Sequence, residues 1–449
     1  MENSSVVSNP VRLKRSLGLG DLILYGIIVI QPVAPMSVFG VLSDRGRGHV
    51  VTTILVAMVG MLLTAISYGR MARVYPSAGS AFTYVGQEIN PVLGYVTGWS
   101  MVMDYMLNPM ICIIWCSQQA NVFAPHVPYW IWAIFFAAIF TLLNIQGVKT
   151  SARVNTALAA GMGAVIAVFF VAAARYLSHT PHDGVGFFTR PFYDPATFNF
   201  RAVLGGTSIA VLTYIGFDGI STLSEEAENP RRNILLATVF TCLVIGILSA
   251  FEVYAAQLIW PASQPFPNQD TAFVAVAQRA WPPLFAIVGF TLLVANFGSG
   301  MGAQLGAARL LYGMGRSNAL PKKFFGAVDP KRRVPRNNVI FVGVVALAGA
   351  FILSYGLGAE MLNFGALIAF MGVNAAALVH YFIRQNDKKI INLLPPAGGF
   401  VICLGLWLGL SKPAVVAGVI WMAVGIAFGA WKTKGFRGSL INFDLPEEA

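Results

Sequence analysis

At the centre of the chain lies the stretch Tyr214-Ile215-Gly216-Phe217-Asp218-Gly219, inside an apolar segment (200–227) long enough to cross a membrane. Two glycines flank an acidic residue at a depth where a membrane helix would normally continue. Backbone that is not helical survives at membrane depth only where it is buried in protein or lines a wet cavity. The stretch therefore predicts a broken helix at a functional site.

A second interruption lies near the N-terminus, where Gln31-Pro32-Val33-Ala34-Pro35 follows Gly26 in the apolar segment 17–43. A proline inside a helix removes an amide donor and clashes with the preceding turn, so two prolines within four residues should break the helix. Breaks in the first and sixth spans are typical of an inverted repeat whose binding site lies at the repeat interface. Two independent kinks are the alternative interpretation.

The composition places the whole chain in a membrane. Of its 449 residues, 56% are hydrophobic and 11% are charged, whereas soluble domains carry about 25% charged residues. A span needs about 20 apolar residues, and the sequence offers about twelve such windows. We predict an all-α membrane protein of about twelve transmembrane helices with a leucine-transporter-type, five-plus-five inverted repeat. The expected spans are 17–43, 50–69, 92–122, 127–146, 151–177, 200–227, 234–260, 281–313, 337–356, 359–383, 393–410 and 413–431.

These spans divide the chain into a cytoplasmic N-tail (1–16), a first repeat (17–177), a second repeat (200–383), helices 11 and 12 (393–431) and a cytoplasmic C-tail (432–449). The polar segment 71–91 is expected to form an amphipathic helix on the cytoplasmic face.

The net charge of +11 indicates how the chain is oriented in the membrane. If both termini are cytoplasmic and the spans alternate, most of the 30 lysines and arginines fall on the inner side, as the positive-inside rule requires. We expect a multi-pass protein of the plasma (inner) membrane, with the lipid bilayer as its partner and no nucleic acid.

Enzymatic and metal-binding functions find no support in the sequence. It contains no P-loop, nucleophile elbow, zinc signature or dinucleotide fingerprint, so we expect neither ATP hydrolysis nor a classical enzyme. The four cysteines lie in apolar runs, where they act as small hydrophobes. We expect no cofactor and no metal.

Acidic residues within spans are the strongest candidates for function, because charge is expensive inside a membrane. Asp104 lies in the third span, followed by Tyr105, and has no obvious lysine or arginine partner within a span. Asp218 lies in the predicted break of the sixth span, where capping of the restarted helix is an equal alternative. Glu252 lies in the seventh span.

The end of the sixth span suggests residues for gating or coupling. Gly216 and Gly219 are expected to supply dihedral angles that only glycine adopts readily. Glu225 shares a helix face with Asp218 and is a coupling candidate, with a structural ion pair to Arg231 or Arg232 as the alternative.

Several motifs together resemble the amino acid–polyamine–organocation transporter superfamily, and most of all its putrescine-importer branch. The motifs are GFDGIS at 216–221, LSEEAENPRRN at 223–233, YPSAGSAFTY at 75–84, GWS at 98–100 before Asp104-Tyr105, RLLYGMGR at 309–316, Gln31-Pro32 and NFGAL at 363–367.

This resemblance implies secondary, ion-coupled transport of amines or amino acids, with backbone carbonyls at Leu212, Thr213 and Ile215 facing the substrate. The full expected substrate site is Gln31, Val33, Ala34, Asp104, Tyr105, Leu212, Thr213, Tyr214, Ile215 and Asp218. The amino-acid branches often carry a coupling lysine in the fifth helix, whose place falls near Gly161 in this chain. The residue that carries a coupling ion is therefore open.

The substrate class can also be argued physically. Amino-acid carriers bind a carboxylate with unpaired amides at the start of the restarted first helix. Pro32 and Pro35 have no such amides, whereas Asp104 and Asp218 would suit ammonium groups. We predict a proton-coupled importer of putrescine or a similar small polyamine that works by alternating access. The alternatives are an amino-acid importer, a diamine–amino-acid exchanger, or a nutrient receptor that does not transport.

Overall fold

A computed structural model of the chain describes residues 17–76, 80–147, 152–182, 184–224, 226–316, 320–332 and 334–436. The regular elements in these ranges are all helical. The α-helices are α1 (Leu19–Ile30), α2 (Ala34–Arg45), α3 (Val50–Val74), α4 (Ser80–Glu88), α5 (Pro91–Phe123), α6 (Tyr129–Gln146), α7 (Ala152–His179), α8 (Val185–Thr189), α9 (Phe200–Ala210), α10 (Pro230–Ile259), α11 (Ala272–Ala280), α12 (Leu284–Arg316), α13 (Lys322–Phe325), α14 (Arg336–Ile352), α15 (Tyr355–Ala377), α16 (Ile390–Leu408) and α17 (Lys412–Lys432).

The number of spans agrees with the sequence. In the described ranges ten helical segments are long and apolar enough to cross a membrane, and the bent pair α1 and α2 makes an eleventh. The apolar helix α14, of 17 residues, occupies the predicted ninth span. The prediction of about twelve transmembrane helices is confirmed.

The first span is broken where the prolines predicted. Helix α1 ends at Ile30, Gln31 takes a left-handed φ of 67°, and α2 leaves at 46° to α1. Pro35 lies in the first turn of α2, a position that tolerates proline because the N–H there has no helical partner.

The sixth span is also broken, although it does not restart as an α-helix. Helix α9 ends at Ala210, a 3-10 turn covers Val211–Thr213, and Gly216 takes a φ of 120°. The chain then continues as a 3-10 helix, Phe217–Leu223, which is tighter and shorter than the predicted helical continuation to 227.

Helix α4 corrects one expectation. The sequence placed 71–91 on the membrane surface, whereas α3 continues to Val74 and α4 is almost entirely buried. Its acidic residue Glu88 is 1% exposed and lies 3.0 Å from both His380 and Arg384. The Glu88 carboxylate thus belongs to an interior ion-pair cluster, and it also accepts a 2.8 Å hydrogen bond from the Tyr75 hydroxyl.

The core surrounds the two breaks. Helix α10 packs along α3 and α1, and α5 packs along both α12 and α15. The long helices α3, α5, α10 and α15 thus form a frame around the first and sixth spans.

Candidate functional site

The two helix breaks touch each other. A Cβ atom at Gly216 would lie 2.9 Å from Val29 Cγ1 and 3.2 Å from Ile30 Cγ1, at the end of α1. Gly216 therefore has two reasons to be glycine: its positive φ and the close approach of the first span. The non-helical backbone of both spans is gathered at one point inside the bundle.

Two acidic side chains lie at this point. Asp104, on α5, is 6% exposed and receives no hydrogen bond from any described residue. Asp218 is 4% exposed, and its Oδ1 accepts a 3.2 Å hydrogen bond from the Gly216 N–H, so the capping alternative describes a real contact. The two carboxyl groups are close enough to interact electrostatically. Residues 114 positions apart in the sequence are thereby brought to one site.

Helices α12 and α15 hold α5 in place beside the breaks. A Cβ atom at Gly365 of α15 would lie 2.4 Å from the Ser100 carbonyl oxygen and 3.2 Å from Asp104 N. On the α12 side, a Cβ atom at Gly306 would lie 3.3 Å from the Tyr105 ring. Asp104 and Tyr105 are thus positioned by close helix packing at small residues.

Tyrosines complete the site, and the sequence reasoning identified only one of them. Tyr105, Tyr25 and Tyr68 all interact electrostatically with Asp218. The Tyr25 hydroxyl lies 3.8 Å from where a Cβ of Gly219 would be. Tyrosines are common in membrane spans, and no local signal distinguishes Tyr25 or Tyr68 from packing residues.

The backbone at the breaks offers mainly acceptors. No described donor reaches the carbonyl oxygens of Leu212, Thr213 or Ile215. At the start of α2 the Ala34 N–H donates to the Gln31 carbonyl, and the two prolines have no N–H.

The segment 32–36 has three N–H groups, those of Val33, Ala34 and Met36. The Met36 N–H donates to the Val33 carbonyl, so with Ala34 also paired the Val33 N–H is left without a described acceptor. At the two breaks together, the carbonyl groups of Leu212, Thr213 and Ile215 and the N–H groups of Val33 and Ile215 have no described partner and are available to a ligand.

Three of the predicted side chains are already engaged within the protein. Gln31 Nε2 donates to the Ala295 carbonyl of α12 at 2.5 Å, and the Tyr214 hydroxyl donates to the Ile54 carbonyl of α3 at 2.9 Å. Thr213 Oγ1 donates to the Ala210 carbonyl at 2.7 Å. These side chains fix the breaks in place, and of the three residues only Thr213 keeps a carbonyl group without a described donor.

Gly219 and Glu225 were both predicted to act in gating or coupling, and the structure bears on only the first of them. Gly219 lies inside the 3-10 helix without a positive φ, and no atom lies within 3.4 Å of its would-be Cβ. The expectation that Gly219 is needed for its dihedral angles is wrong, because the turn takes its unusual φ at Gly216. Glu225 lies outside the described residues.

The two halves of the first span differ in their surroundings. Helix α2 is buried along most of its length, and Arg45 at its end forms a 2.6 Å ion pair with Glu360 of α15. Ser43 donates to Gln257 of α10 at 2.7 Å, and Ser37 accepts from Asn296 of α12 at 2.9 Å. Helix α1 buries only three of its residues. The site is closed on the α2 side.

An interrupted pair of spans around a polar, acidic point is the architecture of a secondary transporter. The sequence profile of the amino acid permease family matches residues 35–441. The chain belongs to this family, and its fold is of the leucine-transporter type.

Curated relatives cover almost the whole chain. It is 34% identical over 443 residues to the low-affinity putrescine importer PlaP of Escherichia coli K12, covering 97% of each chain. It is also 24% identical to the methylthioribose transporter of Bacillus subtilis, covering 95% of each chain, and 25% identical to the branched-chain amino acid permease BcaP of that organism, covering 94% of each.

Proposed function

We propose that this chain imports putrescine or a similar small diamine across the plasma (inner) membrane by alternating access, with both termini in the cytoplasm. The observation that carries the proposal is the pair of buried carboxyl groups, Asp104 and Asp218, which lie within electrostatic range of each other beside the helix breaks. A buried carboxylate is stable as an anion only beside a positive partner, and among the described residues no lysine or arginine forms an ion pair with Asp104. A substrate with ammonium groups would supply that partner.

The backbone groups favour the same class of substrate. Ammonium groups are hydrogen-bond donors, and the carbonyls of Leu212, Thr213 and Ile215 are acceptors without described donors. Among the described residues at the breaks, a substrate carboxylate would find two unpaired amides, those of Val33 and Ile215. Similarity to a putrescine importer over 97% of the chain supports a diamine as well.

Uptake of radiolabelled putrescine into proteoliposomes, with and without an imposed pH gradient, tests the proposal. We expect uptake that an inward proton gradient increases and that unlabelled diamines inhibit. Putrescine binding without uptake would identify a receptor, and absence of both would remove the diamine from this site.

An amino-acid substrate is the second candidate, because the Val33 N–H at the start of α2 can donate to one carboxylate oxygen and other relatives are amino acid permeases. Competition distinguishes the two: inhibition of putrescine uptake by amino acids, with amino-acid efflux, would indicate exchange. Uptake of amino acids alone would favour an amino-acid importer.

A further inference from the structure

A third acid, Glu252, is buried in α10 away from the two breaks. Its side chain is 0% exposed, and neither carboxyl oxygen has a hydrogen-bond partner among the described residues. Burying an ionised carboxylate without a partner costs far more free energy than burying the neutral acid. Glu252 is therefore stable in this conformation as the protonated acid.

No neighbouring charge explains Glu252 as part of an ion pair. Helix α10 packs against α1, α2, α3, α7, α11 and the 3-10 segments of the sixth span. Beyond and at the level of the breaks, the charged or titratable groups of these elements and of α10 itself are Tyr25, Asp44, Arg45, Tyr68, Arg175, Tyr176, His179, Asp218, Tyr254 and Arg279. None of these groups acts electrostatically on Glu252. A purely structural acid would have a donor, and this one has none.

Glu252 lies on a polar strip of α10 that faces the first span. Thr241 Oγ1 and Ser249 Oγ are also buried without a described partner. At 100° per residue, Thr241, Ser249 and Glu252 fall within an arc of about 80° on the helix surface. Thr241 packs against the first span, since a Cβ at Gly26 would lie 2.7 Å from its Oγ1.

The strip extends to both sides of the site. A Cβ at Gly246 would lie 3.0 Å from the Tyr214 hydroxyl, so Gly246 marks the level of the breaks on α10. Glu252 lies six residues further on, about 9 Å along the helix, beside α2. The unpaired hydroxyl of Ser249 lies between Glu252 and that level, where it can pass a proton.

We propose that Glu252 carries the coupled proton. This inference rests on the proposed function, in which Asp104 and Asp218 are matched to the substrate's ammonium groups, so that a coupled proton needs a carboxylate of its own. Glu252 takes a proton from water when α2 separates from α10, is sealed in the conformation described here, and releases the proton past the Ser249 hydroxyl to water when the α1 side of the site opens.

The transport test compares wild type with Glu252→Gln, which keeps the shape of the neutral acid. We expect the variant to retain putrescine counterflow at equal pH but to lose accumulation driven by a pH gradient, and Glu252→Asp to restore part of it. Asp387→Asn, a carboxyl-to-amide change in an exposed loop, is the matched control and should behave as wild type. Gradient-driven accumulation by Glu252→Gln at the wild-type level would overturn the proposal.

A second measurement does not depend on the substrate. Infrared spectra in liposomes should show a protonated-carboxyl band in wild type that is missing in Glu252→Gln and that disappears when the pH is raised. Absence of such a band, or its persistence at every pH, would refute the role of Glu252. A wild type that moves no putrescine would refute the proposed function, while the spectra would still decide the protonation of Glu252.

Discussion

Replacement of Asp104 by asparagine is the strongest test of a diamine site. The side chain is buried, receives no hydrogen bond from described residues, and lies within electrostatic range of Asp218. Removing one partner of a buried charge pair costs about 3–5 kcal/mol. Since about 1.4 kcal/mol corresponds to a tenfold change, Asp104→Asn should weaken diamine binding at least roughly a hundredfold.

The measurement is equilibrium binding of labelled putrescine and of its mono-amine analogue to purified wild type and Asp104→Asn. The variant should lose most of the preference for the diamine, because one ammonium group loses its counter-charge. Asp218→Asn should act in the same direction but less strongly, because an asparagine oxygen can still accept the Gly216 N–H.

Thermal unfolding separates this role from a structural one. Asparagine at position 104 breaks no described hydrogen bond, so the melting temperature should stay close to that of wild type. Near-normal diamine affinity with the full diamine preference would remove Asp104 from the site. Loss of folded protein with unchanged affinity in the remainder would assign it to packing.

Three further predictions concern the hinge, an outer loop and the topology. Gly216→Val should abolish transport while the protein still inserts, because position 216 has a positive φ and the first span lies against it. Gly219→Ala should still transport. Equal activity of the two variants in the uptake assay would contradict this prediction. Burial raises the pKa of Asp270, in the loop before α11, to about 6. The folded protein then binds a proton more tightly than the unfolded chain, so stability present below about pH 4 is lost as the pH rises through 6. Melting temperatures should show this fall in wild type and not in Asp270→Asn; an identical pH profile would refute it. Cysteines introduced at 184–199 should react with impermeant reagents from outside and those at 320–332 from inside, and the reverse pattern would invert the topology.

Much of the fold could be predicted because its determinants are local. The paired prolines around Val33 and the glycines around Asp218 are local signals of an interrupted helix, and apolar windows mark the spans without tertiary information. The acids Asp104 and Asp218 stood out because charge is rare inside a membrane.

The rest depends on contacts between distant elements. Tyr68 joins the site only because α3 packs beside the breaks, and Gly219 differs from Gly216 in its φ and in what lies next to it. The polar segment that contains α4 looks like a surface helix because the partners of Glu88, His380 and Arg384, are about 290 residues away in the sequence. Pattern alone cannot reveal such long-range partners.

The distribution of contacts around the first span also determines from which side the site can be reached. Helix α2 is held by an ion pair and two side-chain hydrogen bonds to three different helices. Helix α1 has no comparable ties along its described length, and Tyr25, beside the 3-10 helix, remains 36% exposed. Its start is instead joined to the segment after the 3-10 helix, since Leu17 N–H donates to the Glu226 carbonyl at 3.1 Å and Glu228 N–H donates back at 2.8 Å. The start of α1 and the end of the sixth span are therefore linked to each other, and α1 packs on α10 without side-chain ties. Because the polar ties to other helices are concentrated on α2, the structure is of a conformation in which the acidic site is shut on the α2 side.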